Sequence, residues 1–437
     1  MVGPSTLPRP VRYHLPNGLE VLLDPVPGAT TVSVWVWYRV GSKNEWPGVT
    51  GASHWVEHML FLGSPKFGKG AIDKAIVGVG GELNAFTDTD FTAYFTTVPS
   101  EHLAVPLAVE ADRMTRALLV PAEVERERTI IRSEREGAEN WPEFLADEEL
   151  YNLAFKSHPY RWDPLGLPGD ILALTPADLA AYYHRFYGPR NAILLVSGGF
   201  DVRAVRSTIA ATFRRLPATG ADPVVRLAEG PSTAARRAEL RGPGTTPFID
   251  VGWRAPAIGD AGAVPLLVLD ALLGGESRLF SNGAPGSRSR EHPSSRLYRR
   301  LVDAGLAVGA TSGYRPRVHP SLFTIHAQAA AGRSIEAVER AVEAELHRIS
   351  RDGPSAAELR EVATKFREAV ALAYEGATQR GFRLGYLAAI GGPGIEARLL
   401  RGVGALTPSR VREAARDLFR SEARCTVVYR PEVPHGS

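Results

Sequence analysis

The order of strand-like and helix-like segments runs through this chain twice, on either side of a proline-, glycine- and alanine-rich stretch at 217–231. That repetition restricts the fold more than any other feature. The first half opens with a strand pair over Val11 to Pro25, turning at Asn17-Gly18. Thr31 to Val40 alternates, with Val32, Val34, Val36 and Tyr38 on one face and Trp35 and Trp37 on the other, so both faces are expected to be covered. Helices are expected over Thr50–Leu62, Asp73–Val79, Leu103–Leu118 and Ala122–Leu153, the last bending near Pro142. Glu82 to Pro99 reads as strand, turning near Asp88-Thr89-Asp90. Thr175 caps a helix over Pro176–Tyr187, ahead of a buried strand Ala192–Gly198 and a helix Val202–Leu216.

Beyond the linker the order returns. Strands are expected at Phe248–Trp253, Leu306–Ser312, Ser321–Gln328 and Arg424–Tyr429. Helices are expected at Val264–Leu273, Ile335–Ser350, Ala356–Glu375 and Pro408–Leu418. Gly274 to Ser294 has no pattern and reads as a surface loop. A chain of 437 residues exceeds one ordinary core. The expectation is an α+β protein of two similar halves, 1–216 and 232–437, joined by 217–231.

Composition removes several function classes. The net charge is only +3 and the basic residues are scattered, which gives nucleic-acid binding no support. Cys425 is the single cysteine, so neither an internal disulfide nor a thiolate zinc cage can form. It reads as a small buried residue of the last strand. No apolar run reaches the roughly 20 residues of a membrane span. Met1 to Arg12 lacks the apolar core of a signal peptide. A soluble cytoplasmic protein with no membrane association is expected.

The chemistry sits in His54-Trp55-Val56-Glu57-His58. On a helix, positions i, i+3 and i+4 share a face, so His54, Glu57 and His58 project together. Two imidazoles suit zinc, and a nearby carboxylate suits proton transfer. A surface helix with two solvated histidines is the alternative, but Trp55, Val56, Met59 and Leu60 would bury the same helix. A catalytic zinc needs a third protein ligand and an open position. Glu127 and Glu134 lie two turns apart on one helix face, with Glu125, Glu136 and Glu139 as rivals, and composition does not choose among them.

The run His54 to Gly63 (HWVEHMLFLG) resembles the inverted zinc motif of the pitrilysin, insulinase and mitochondrial processing peptidase family. Glu125 to Glu134 (ERERTIIRSE) resembles that family's second signature, and 76 positions separate His58 from Glu134, as in its smaller members. The resemblance implies a zinc metalloendopeptidase carrying one Zn2+ per chain. It makes His54, His58 and Glu134 the metal ligands, Glu57 the general base and Glu127 a supporting carboxylate. It implies two homologous halves, each a mostly antiparallel sheet with helices packed on one face, together forming half of a clamshell. Gly80 to Thr87 (GGELNAFT) resembles the family's active-site edge strand, to which an extended peptide adds as one more strand, with Asn84, Ala85 and Phe86 as substrate-binding positions.

One part of the pattern is missing. Members that complete catalysis carry an Arg and a Tyr seven apart, in Arg-x-x-x-Gly-Leu-x-Tyr, on the opposite side of the clamshell. Aligning on Gly305-Leu306 puts Leu301 at the Arg position and Val308 at the Tyr position. Arg299, Arg300 and Tyr314 lie nearby but out of register. The resemblance therefore implies the zinc-bearing subunit of a heterodimer, whose homologous partner lacks the zinc motif and supplies Arg and Tyr. A chain acting alone or as a homodimer is the alternative. Two other readings are a non-catalytic structural core subunit of the same fold and a processing protease for one modified peptide.

Overall fold

The computed structural model describes residues 7–221, 225, 229–275, 292–392 and 394–432. Most of the 274–294 segment expected to be a surface loop lies outside these described residues. The first sheet is built from β1 (Val11–His14), β2 (Glu20–Pro25), β3 (Thr31–Tyr38), β4 (Glu82–Thr87), β5 (Thr92–Pro99) and β6 (Ala192–Gly198). Their spatial order is β1-β2-β6-β3-β5-β4, and only β2 and β6 run parallel. The second sheet contains β7 (Arg236–Gly242), β8 (Phe248–Ala255), β9 (Ala307–Tyr314), β10 (Ser321–Ala329) and β11 (Cys425–Pro431). Its order is β7-β11-β8-β10-β9, again with one parallel pair, β7 and β11. The molecule is a two-sheet α+β fold, as the repeated element order suggested.

Both faces of β3 are covered. Val32, Val34, Val36 and Tyr38 enter a core shared with Trp55, Val56 and Met59. Trp35 and Trp37 face the other way and are 1% and 0% exposed, so a second layer must lie over them. That layer is the helix Ala377–Gly391, which comes from late in the chain. Gly381 and Gly385 let its bare backbone rest on the indoles. A Cβ at Gly381 would lie 2.2 Å from Trp35 Nε1, and one at Gly385 would lie 1.9 Å from Trp37 Nε1.

The first half returns the exchange. Helix Pro142–Ala154 packs Ala146, Leu150 and Ala154 against Phe248, Leu322, Val427 and Tyr429 of the second sheet. Each sheet thus borrows one helix from the other half of the sequence. Cys425 is buried in this interface.

Two expectations need correction. Ala122–Leu153 is two helices, Pro121–Glu139 and Pro142–Ala154, separated at Asn140-Trp141. Proline at the first position of the second helix needs no amide partner, whereas inside a continuous helix it would break a bond. Helices Ala377–Gly391 and Ile395–Ala405 and strand β7 were not anticipated. Gly381, Gly385 and Gly391 lower helix propensity, and β7 offers only Ala238 and Leu240 as apolar side chains among arginines and a glutamate. Among the described residues, no helix is long and apolar enough to cross a membrane.

The glycine contact yields a stability prediction. Gly385→Ala should lower the urea midpoint, costing about 1–3 kcal/mol through overpacking. Gly137→Ala, where an added Cβ meets nothing within 4 Å, is the control and should be neutral or slightly stabilising. Equal midpoints for the two variants would contradict the packing described.

Candidate metal centre and cleft

The helix Ala52–Met59 is fixed before it carries any chemistry. Gly51 precedes it with φ of +88°, in the left-handed region, pressed against the backbone of Leu165 and Gly166. The first amides of a helix lack internal partners. Here the Glu45 carboxylate accepts from Gly51 N and Ser53 N, both at 2.8 Å. Burial nevertheless raises the Glu45 pKa to about 7. Ala52, Trp55, Val56 and Met59 point into the first core, leaving His54 and His58 on the opposite side.

The partner helix, Pro121–Glu139, contributes a mixed stripe. Val124 and Ile131 are buried in the same core. Glu127 and Glu134 follow them at helical spacing and face the histidines. The rivals of Glu134 are occupied along their own helix. Glu125 pairs with Arg128, Glu136 with Arg132, and Glu139 with Arg135.

Three electron-rich atoms converge. His54 Nε2 and His58 Nε2 are 3.3 Å apart, and each lies 3.5 Å from Glu134 Oε2. Zinc bonds of about 2.0–2.1 Å in a tetrahedron place ligand atoms about 3.3–3.4 Å from one another. The triangle therefore fits one face of a zinc tetrahedron. Among the described residues this is the one group of three His, Cys or carboxylate ligands close enough to hold a metal ion.

The surroundings favour ligation. His58 Nδ1 lies 3.1 Å from Glu127 Oε2, a contact in which an Nδ1 proton donated to the carboxylate would leave Nε2 free to ligate. Burial, with the neighbouring His58 adding, lowers His54 to about 3, so its imidazole is neutral. His54 Nδ1 itself is buried without a hydrogen-bond partner.

Glu57 stands beside this triangle and is 8% exposed. Burial raises its pKa to about 7, against a lowering from Thr87, whose Oγ1 donates to Glu57 Oε2 at 2.6 Å. Thr87 was part of the edge-strand motif but had no assigned role. Its contact joins residues 30 positions apart in different elements, so no local pattern reveals it.

The site opens through His54 and Glu57 into a cavity of about 710 Å³ between the halves. His54, Glu57 and the β4 residues Ala85, Phe86 and Thr87 line one wall. Asp250, Arg315, Arg317 and His326 of the second half line the other, and sequence reasoning named none of them. Strand β4 is the outer strand of its sheet. Asn84 is exposed on it, and its Oδ1 accepts from Ala85 N at 2.8 Å. The Phe86 ring packs with Trp35, Trp37 and Phe91, so its side chain supports the strand from behind.

The Arg and Tyr positions stay empty of donors. Leu301 is fully buried and Val308 is 55% exposed. The Tyr314 hydroxyl donates to Pro256 O at 2.7 Å, Arg299 donates to Ser294 O, and Arg300 is exposed. Among the described residues none of these five lines the cavity.

Known proteins resemble this chain in sequence and in fold. Residues 20–163 match the domain described as Insulinase (Peptidase family M16), and residues 173–366 match the Peptidase M16 inactive domain. The chain belongs to the insulinase family, peptidase family M16. The zinc protease PqqE of Helicobacter pylori is 30% identical over 365 residues, spanning 82% of this chain and 79% of that protein. The crystal structure of a protease from Helicobacter pylori superposes with a TM-score of 0.89 at 26% identity, covering 97% of this chain and all of that one. The periplasmic protease PqqL from Escherichia coli shares the fold at 21% identity and a TM-score of 0.76. That match covers 96% of this chain but 47% of PqqL.

The raised pKa of Glu57 gives a pH-dependent prediction for the metal-free protein. Below the unfolded value of 4.5 both states hold the proton, and the group is neutral to stability. As pH rises toward about 7 the unfolded state releases the proton first, so stability is lost across that window. Glu57→Gln should therefore stabilise the metal-free chain by roughly 1–3 kcal/mol at pH 8 and by little at pH 4. Urea titrations at the two pH values check this; an equal gain at both would contradict it.

Proposed function

We propose that this chain is a zinc metalloendopeptidase that hydrolyses peptides or unfolded segments. The observation that carries the reading is the triangle of His54 Nε2, His58 Nε2 and Glu134 Oε2, with zinc-like separations, beside a buried carboxylate in a cavity. The donor set of two imidazoles and one carboxylate suits a catalytic zinc. The chemistry such an ion supplies is Lewis acidity, which brings the ionisation of water into the neutral range.

The remaining work falls to the chain's own groups. Glu127 holds His58 by its Nδ1 proton and fixes the ring. Glu57 accepts the proton of the attacking water and returns it to the leaving amine. Thr87 occupies one oxygen of Glu57 and leaves the other to carry that proton. The outer edge of β4 offers backbone groups to an extended substrate at Asn84, Ala85 and Phe86. This reads backbone rather than sequence, which suits segments without fixed structure.

Leu301 and Val308 supply no hydrogen bond for the developing oxyanion. We therefore assign the chain a homologous partner subunit that brings Arg and Tyr. The length of PqqL, about twice the span matched here, is consistent with that division. A structural core subunit of the same fold is the second reading, favoured by the description of the second matched domain as inactive.

Three outcomes test these assignments. Glu57→Gln should retain one zinc per chain by metal analysis while hydrolysis falls at least about a hundredfold. His58→Ala should lose the metal as well. The zinc-loaded chain should hydrolyse peptides weakly alone and fully with a homologue carrying Arg and Tyr. Full turnover by the solitary chain would remove the partner, and zinc binding without hydrolysis in any combination would favour the structural role.

A further inference from the structure

The cleft wall contributed by the second half contains an arginine with two guanidinium nitrogens that make no hydrogen bond. Arg317 lines the cavity that also opens onto His54 and Glu57. Its Nε and Nη1 are buried and have no hydrogen-bond partner. The guanidinium lies over the rings of Tyr160, at 5.2 Å, and Tyr151, at 5.9 Å. Those faces steady a cation but accept no in-plane hydrogen bond. Buried donors left unpaired are costly, and a guanidinium presents them in a planar fork that matches a carboxylate.

The carboxylates nearest to Arg317 are engaged with closer partners. Lys43, Arg315 and Arg317 face two carboxylates, Asp88 and Asp90. Arg315 Nη2 takes Asp88 Oδ2 at 2.7 Å, and Thr89 N donates to Asp88 Oδ1 at 2.6 Å. Arg317 reaches that oxygen only at 3.7 Å. Asp90 accepts from Tyr160 and Val318 N and pairs with Lys43. Glu57, Glu143, Asp147, Glu148, Asp163 and Asp250 also line the cavity; of these, Glu148 pairs with Arg135 and Asp250 lies against His326.

Position gives these unpaired donors a use. Asp88 directly follows Thr87, the end of the substrate strand β4 and the partner of Glu57. A peptide added along β4 would run toward the cluster.

We propose that Arg317 is a substrate-binding residue that takes a carboxylate of the bound peptide in the cleft beyond Thr87. This deepens the peptidase reading and rests on it. The carboxylate can come from the peptide's C-terminus or from an Asp or Glu side chain, and both make the same forked contact.

The test uses the full-length, zinc-loaded chain carrying Glu57→Gln, so that peptides bind without being cut. One labelled, unstructured peptide is prepared as the free acid, as the C-terminal amide, and with its Asp and Glu changed to Asn and Gln. Fluorescence anisotropy gives the dissociation constants. With Arg317 in place, removing the responsible carboxylate should weaken binding about tenfold. Loss on amidation assigns the C-terminus, and loss on the Asn and Gln changes assigns a side chain. Arg317→Met, which fills the space between the tyrosine rings, should abolish the dependence, and Arg317→Lys should restore part of it. Equal affinities for all three peptides overturn the inference, as does a carboxylate preference that survives Arg317→Met. Either result leaves the peptidase reading standing. If Arg317→Met fails to fold, the peptide series on the Arg317 and Lys chains still decides the question. Binding of no peptide by any variant overturns both.

Discussion

The exchange of helices between the two sheets is the constraint on which the rest of the molecule depends. Trp35 and Trp37 present two indoles on the face of β3 opposite the first core, and a lone sheet could not leave them in water. The glycine side of Ala377–Gly391 covers them, and Pro142–Ala154 covers the second sheet in return. Fully burying aromatic side chains of this size is worth several kcal/mol in total. The exchange makes one body of two halves, and the cleft between them becomes a built space. Without it the wall bearing Arg315, Arg317 and Asp250 would have no fixed relation to the wall bearing Glu57.

The metal triangle runs against stability. Two imidazole nitrogens and a carboxylate oxygen meet near 3.5 Å with more lone pairs than protons among them. The raised pKa of Glu57 and the lowered pKa of His54 express the same strain, since burial resists charge on each. The core beneath offsets it. Trp55, Val56 and Met59 on one helix and Val124 and Ile131 on the other hold the backbones in place whatever the polar side prefers. A divalent cation would reverse the local preference by favouring the ionised carboxylates.

Much of this was legible in the residues. The spacing of His54, Glu57 and His58 names a helix face because the helical period is fixed, and Thr175 with Pro176 marks a helix start by capping chemistry. The alternation in β3 announced a layer on each side without saying which segment supplies the second. That segment was missed because its glycines, needed for close approach, weaken the local helix signal. Glu134 could not be separated from Glu125, Glu136 and Glu139 by composition. The structure separates them through the arginines three or four residues away that occupy the other three. Thr87 against Glu57 and the Arg317 cluster arise only when distant strands meet, and no window of sequence contains both partners.

Strand β4 carries a further implication. An outer strand with open backbone groups invites any extended chain, including another copy of the same protein. Here the end that meets Glu57 lies inside a recess whose far wall is the second sheet. The recess holds about 710 Å³, a space on the scale of a short extended segment and far below that of a folded domain. On the peptidase reading, that enclosure would favour a guest already extended over one still folded.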